Sequence, residues 1–282
     1  MTQHPDPADS VGRADPVDSV DSADEPRPVA TTPDAAGAST SGGDETLRHR
    51  PIVSFAPRGG RMNDVQRRAW EAHADTWLVE RPDVDSGIDQ QALFGRVAPL
   101  VLEIGPGMGD ATAAMALARP EVNLLAVEVY KPGIAQTFSN LARRAVTNVR
   151  VLRADAVEVL RAVIEPGSLA EVWLFFPDPW PKRKHLKRRI VSAQFAELVA
   201  SRLAPGGSWW MATDWAPYAR HMLTVVSGCE ALANPHADTG GWAPRPSFRP
   251  ETRFERRGLA EDRAIFDLHL VRTGAVAPGS MT

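Results

Sequence analysis

From Pro99 onward the chain alternates between short apolar runs and longer segments whose apolar residues recur every three or four positions. The runs PLVLEIG, NLLAVEV, NVRVLRAD, AEVWLFFPD and GSWWMATD are too short for helices and rich in aliphatic and aromatic residues, which predicts five strands. Between them, GDATAAMALARP reads as a small-residue helix ended by Pro120, and PGIAQTFSNLARRAV as a second helix with Pro132 near its start. HLKRRIVSAQFAELVASRLAPGG reads as one long helix with a Gly-rich exit, WAPYARHMLTVVSG as another helix, and AIFDLHLVR as a last alternating strand. Upstream, Val65, Ala69, Trp70, Ala72 and Trp77 share one face of a helix running from about Asn63 to Leu78. The late segment NPHADTGGWAPRPSFRPETRFERRG reads either as an irregular connector or as an ordered lid.

Strands alternating with helices predict an α/β fold, an open and mostly parallel sheet covered on both faces. Such sheets bind ligands beyond the carboxyl ends of their strands, where the strand order reverses. The residues expected at those ends are Glu103, Glu128, Asp155, Asp178 and Asp214. One acid there is ordinarily a helix cap or a solvated turn residue. Five in succession point to a ligand with several donors or a positive charge.

Charge changes the picture once it is divided along the chain. The net charge of −3 combines residues 1–50, with ten acids and four arginines, and residues 51–282, with 28 cations and 25 acids. The first 50 residues hold six prolines and no Phe, Trp or Tyr, so they are expected to be disordered, followed by one domain over 51–272 and a flexible end at 273–282. No signal-like start or membrane-length apolar run occurs, and the single cysteine, Cys229, reads as inert core; a cytoplasmic protein is expected. The seven histidines show no metal-ligand spacing, so no metal is expected.

Two stretches carry the chemistry. EIGPGMG turns a strand into a helix, and Gly105 and Gly107 let backbone approach a ligand closely. The dinucleotide fingerprint wants glycine where Asp110 stands, and Glu103 in front of the turn would repel a pyrophosphate. An acid there suits S-adenosylmethionine, which has an α-ammonium, a sulfonium and no phosphate. Glu128 is spaced to accept from ribose hydroxyls, and Asp155 is placed to accept from the adenine amino group. The second stretch, LFFPDPWPKRKHLKRRIV, fixes Asp178 between Pro177 and Pro179 and offers Trp180 as a face for a base. Six cations follow within eight positions, Lys182 to Arg189, with no acid among them, as a phosphate backbone would require.

LEIGPGMG, AVEV, ADAVEVL, LFFPDPWPKRKHLKRRI, MATDWAPYA and RPETRFERRG together resemble the bacterial tRNA (guanine-N7)-methyltransferases, in order, from about Ser54 to Arg272. Pro106, Lys184 and Leu186 depart from the usual pattern. The resemblance implies a Rossmann-like class I methyltransferase fold with an antiparallel last strand. It also implies transfer of methyl from S-adenosylmethionine to N7 of a guanine in the variable loop of tRNA, by a monomer or homodimer. It makes Glu103, Glu128, Asp155 and Asp178 cofactor-pocket acids, with Asp178 also the active-site acid. Lys182, Asp214, Thr252, Arg253, Phe254 and Glu255 become substrate-binding residues, and Lys184, His185, Lys187, Arg188 and Arg189 an RNA-contacting patch.

Guanine N7 has a lone pair and no proton, so the expected role of Asp178 is to position the base and stabilise developing positive charge; a role mainly toward the cofactor is the alternative. Three other readings fit less well. A non-catalytic RNA-binding protein leaves Glu103, Glu128 and Asp155 unexplained. An NAD-dependent oxidoreductase conflicts with Asp110. An amino-group methyltransferase would carry Asn-Pro-Pro-Tyr where this chain has Pro-Asp-Pro-Trp.

Overall fold

The computed structural model describes residues 55, 60–80, 84, 87–261 and 263–274, with the backbone alone at 253, 254 and 257. The expected acidic tail and the chain end beyond 274 lie outside the described residues. Helix α1 (Asp64–Trp77) leads through β1 (Leu78–Val79) and α2 (Gln90–Phe94) into β2 (Leu100–Ile104). Then α3 (Asp110–Ala118), β3 (Asn123–Val127), α4 (Lys131–Arg143), β4 (Val149–Leu152) and α5 (Ala156–Ala162) follow. Strand β5 (Leu169–Phe175) precedes a 3₁₀ turn at Arg183–Arg188, α6 (Ala193–Arg202), β6 (Leu203–Thr213), α7 (Ala216–Ser227) and β7 (Leu232–Ala233). The chain closes with α8 (Arg253–Ala260) and β8 (Phe266–Arg272).

The strands form one sheet in the order β1-β4-β3-β2-β5-β6-β8-β7, parallel through β6 and antiparallel at β8 and β7. From β2 the chain builds outward to β3 and β4, then returns to place β5 on the other side of β2. The order reverses there, which opens a crevice beyond Ile104 and Phe175. Strand side chains alternate between two apolar layers: Leu102, Leu125, Leu152 and Val172 face the layer of α5, α6 and α7, while Val101, Leu124, Val151 and Trp173 face that of α1, α3 and α4. Burial on both faces explains why these strands read as continuous apolar runs.

Three expectations are corrected. The long helix over 185–207 is three elements. Arg183 with Lys187, and Lys184 with Arg188, are like-charged pairs four apart, which disfavour an α-helix. Only a 3₁₀ turn forms, and α6 starts afresh at Ser192, whose hydroxyl accepts from Phe195 N at 3.3 Å. Its Gly-rich exit is already strand: Gly207 packs where a Cβ would lie 2.9 Å from Ala204 O and 3.0 Å from Ala170 O. Second, the acids are not all last residues of strands. Glu103 lies within β2, Asp155 caps α5, and Asp178 stands three residues beyond β5. Third, the late segment is not irregular throughout, since it contains α8.

Candidate active site

The turn after β2 holds Gly105, Gly107 and Gly109 at φ of +70°, +63° and +72°. A Cβ on Gly105 or Gly107 would meet no other atom within 4 Å, so the glycines leave open space beside the backbone. Glu128, one residue past β3, ties this turn down: its Oε2 accepts from Gly107 N at 3.0 Å, and its Oε1 from Val129 N and Tyr130 N at 2.7 and 2.9 Å. Asp155 accepts from Val157 N at 2.8 Å as the N-cap of α5, a structural duty that leaves its carboxylate in the cavity wall.

These residues surround a cavity of about 250 Å³ whose wall includes Gly105, Gly107, Glu128, Asp155 and Asp178. Its described lining has three carboxylates and neither Lys nor Arg. That donor set suits hydroxyls, amines and a positive charge, and disfavours phosphate.

A larger cavity of about 940 Å³ adjoins it across the same turn, with Glu103, Asp178, Asp214, Trp215 and Thr252 in its wall. Both share Ile104, Gly105, Gly107 and the segment Phe175–Asp178. Asp178 is thus the carboxylate common to the two spaces. Its backbone is set by more than the two prolines. Phe176 and Trp180, on either side, have φ of +52° and +43°, left-handed values that bulky residues rarely adopt. Phe176 N donates to Ala212 O at 2.8 Å, and Arg189 Nε donates to Pro179 O at 2.9 Å, which hold the strained turn from both ends.

Glu103, two positions after Val101 in β2, shares its face and so points into the layer of α3, 4% exposed. Its Oε2 and the nearby Thr112 hydroxyl are both buried without a hydrogen-bond partner. Burial pushes the carboxyl up to about 8; the Thr112 hydroxyl, near it but outside hydrogen-bonding geometry, opposes the rise and the Glu128 charge adds to it. This orphaned acid in a cavity wall suits a cationic ligand.

The remaining expected site residues divide. Asp214 lines the larger cavity and pairs with Arg263 at 3.0 Å, off the hydrogen-bonding direction. Thr252 also lines it, and its hydroxyl accepts from Glu255 N at 3.0 Å at the start of α8. Arg253 and Phe254 have backbone in α8, with side chains outside what is described. Glu255 reaches neither cavity: its oxygens accept from Arg245 at 2.7 Å and Arg249 at 2.8 Å in the interior. Lys182 is exposed at the head of the 3₁₀ turn and lines neither cavity. Lys184 and Lys187 are exposed beside it, while Arg188 lies over the Trp180 ring at 4.6 Å. His185 is held below its ordinary pKa, first by desolvation and then by Lys184, Arg188 and Lys182. Arg189 is turned inward, over the Tyr218 ring at 4.7 Å.

Sequence reading missed Arg249, Asp267 and Trp215. Arg249 Nη2 donates to both oxygens of Asp267, at 2.9 and 3.0 Å, and the guanidinium lies 5.4 Å from both the Phe175 and Phe176 rings, so it backs the strained turn. RPSFRPETRFE does not single it out among three arginines, because the pairing with Glu255 is set by the fold of α8 and the other partner, Asp267, is 18 positions away. Among the described residues no group of His, Cys, Asp and Glu could hold a metal ion, and no helix is long and apolar enough to cross a membrane.

A crevice at the sheet's reversal whose smaller cavity is walled by carboxylates with no Lys or Arg in its described lining fits a methyltransferase, and a family model described as "Putative methyltransferase" matches residues 97–268. The tRNA (guanine-N(7)-)-methyltransferase of Nocardioides sp. is 46% identical over 229 residues, 81% of this chain and 90% of that protein. Those of Bordetella pertussis and Pseudomonas putida are 45% and 44% identical, over 88% and 82% of this chain and 96% and 95% of theirs. The chain belongs to the tRNA (guanine-N(7)-)-methyltransferase family.

Proposed function

We propose that this protein transfers a methyl group from S-adenosylmethionine to N7 of a guanine in tRNA, in the variable loop, in the cytoplasm. The observation that carries the reading is the pair of adjoining cavities meeting at Asp178, one of them walled by carboxylates without a cation. The names of the relatives supply the acceptor. The cofactor fits by chemistry: Glu128 and Asp155 accept from hydroxyls and amines, the glycine turn leaves space for close approach, and Glu103 offers an unpartnered oxygen to an ammonium.

When bound, S-adenosylmethionine supplies a methyl carbon made electrophilic by its sulfonium. The protein's share is placement and charge. Asp178, on a turn fixed by strain and by two hydrogen bonds, orients the guanine by accepting from its N1–H and amino group, and offsets the positive charge that grows on the purine. No general base is required, because N7 carries no proton. Arg183, Lys184 and Lys187 lie exposed on the 3₁₀ turn beyond Asp178 and serve the phosphate backbone. The test is to incubate unmodified tRNA with enzyme and labelled cofactor and digest to nucleosides. Label in 7-methylguanosine alone is expected, and label in any other nucleoside contradicts the reading.

A further inference from the structure

We propose that Trp215 is the surface on which the target guanine stacks, and that its indole face favours the methylated, positively charged purine over the unmodified one. The inference rests on reading the part of the larger cavity around Asp178, Asp214 and Trp215 as the guanine site, with Glu103, also in its wall, toward the cofactor. Seven large hydrophobic side chains are exposed among the described residues, and two of them, Met108 at 46% and Trp215 at 37%, line this single cavity. Exposed apolar faces gathered in one concave space call for an apolar ligand surface to cover them.

Trp215 stands on a fixed stem. It is the N-cap residue of α7; its N–H donates to Thr213 Oγ1 at 3.2 Å, and its carbonyl accepts from Tyr218 N and Ala219 N at 2.8 and 2.9 Å. Its neighbour Asp214 follows β6, and Asp178 follows the adjacent β5, so two carboxylates and one indole converge from paired strands. Guanine matches that set. It presents N1–H and an amino group along one edge, which suit carboxylates, and two flat faces, which suit an indole. The other candidate, Trp180, lines neither cavity and already carries Arg188 over its ring.

The charge argument adds a preference. In the reaction the N7 lone pair becomes the new bond to carbon, the methyl–sulfur pair stays on sulfur, and the positive charge passes to the purine without loss of a proton. A cation over an aromatic face is held by the ring quadrupole, most strongly by Trp. Stacking on Trp215 is therefore stronger after transfer than before, and part of that gain is present in the transition state.

The test compares Trp215→Ala, Trp215→Leu and Trp215→Phe in the full chain. kcat/KM for tRNA should fall roughly 5- to 100-fold in the Ala variant, the range that base–aromatic stacking gives. The Phe variant should keep most of the activity, and the Leu variant, apolar but without a π face, should resemble Ala. The ratio of affinities for methylated over unmodified tRNA should drop in Ala and Leu, while S-adenosylmethionine affinity and Tm stay at wild-type values. A Leu variant equal to wild type in rate and in that ratio overturns the proposal. So does a loss that follows a fall in Tm or cofactor affinity; if the Ala variant does not fold, Leu against Phe decides. Digestion of the wild-type product separates the two layers. Absence of 7-methylguanosine defeats the reading of the cavity, whereas 7-methylguanosine made equally well by the Leu variant defeats only the stacking role.

Discussion

Glu103 stands where a buried strand ordinarily carries Val or Leu, two positions after Val101 on the same covered face. Its burial raises the carboxyl to about 8, so near neutral pH the ligand-free protein holds it largely protonated. In the unfolded chain the same group ionises near 4.5. Between those values the folded state binds more protons than the unfolded state, so this residue makes stability fall as pH rises through that window. Glu103→Gln should therefore raise the Tm of the ligand-free protein relative to wild type, more at pH 8 than at pH 5, and weaken S-adenosylmethionine binding about 10- to 100-fold, as loss of a charged hydrogen-bond partner does. Thermal melts at the two pH values and equilibrium dialysis check this; an equal Tm difference at both contradicts it. The place of Glu103 in front of the glycine turn was legible from the strand-to-Gly-turn pattern. Its depth was not, because an apolar run does not say which of its positions meets a helix. Glu128 and Asp155 likewise carry second duties, bracing the glycine turn and capping α5, that spacing alone does not reveal.

At the scale of elements, the strands were legible because both faces of a parallel sheet are buried, and β2, β3, β5 and β6 read as continuous apolar runs. Helix α5 escaped a separate reading because its seven residues make barely two turns. The long basic helix was misread because its periodicity was carried back into the basic run, where like charges four apart weigh against an α-helix and only a 3₁₀ turn forms at Arg183–Arg188. The late segment was opaque for another reason: what orders it is long-range. Glu255 from α8, Arg249 from the preceding turn and Asp267 from β8 form a buried ionic cluster, each less than a tenth exposed. Burial still holds the Asp267 carboxyl above its ordinary range, with Arg249 opposing it. Removing the cation leaves Asp267 buried without its partner and Glu255 with Arg245 alone, so Arg249→Ala should cost about 3–5 kcal/mol, a fall in Tm on the order of 10 °C for a domain of this size. Because Arg249 also lies against the Phe175 and Phe176 rings, turnover should fall further than stability alone explains. Calorimetry beside activity below the melting range checks both, and a Tm within about 2 °C of wild type contradicts the cluster's role.

On the scale of the whole molecule, one reversal of strand order sets two cavities side by side beyond β2 and β5, and the chain invests its strain at their junction. The smaller cavity, the proposed cofactor side, is walled by acids. On the outer side the 3₁₀ turn exposes Arg183, Lys184 and Lys187. This division of charge was visible in LFFPDPWPKRKHLKRRIV as one fenced carboxylate followed by cations. The inward turn of Arg189 onto Tyr218 was not, since charge along a sequence does not show which cation faces the body. In the proposed mechanism Asp178 serves chemistry and not architecture. The most direct measurement is the single-turnover rate of methyl transfer to saturating tRNA by Asp178→Asn, taken beside its Tm and its affinities for S-adenosylmethionine and tRNA. An amide keeps the shape of the turn but removes the charge that orients guanine and offsets the growing cation. The rate should fall about a hundredfold or more, with Tm and tRNA affinity close to wild type. A single-turnover rate near that of wild type would contradict the account.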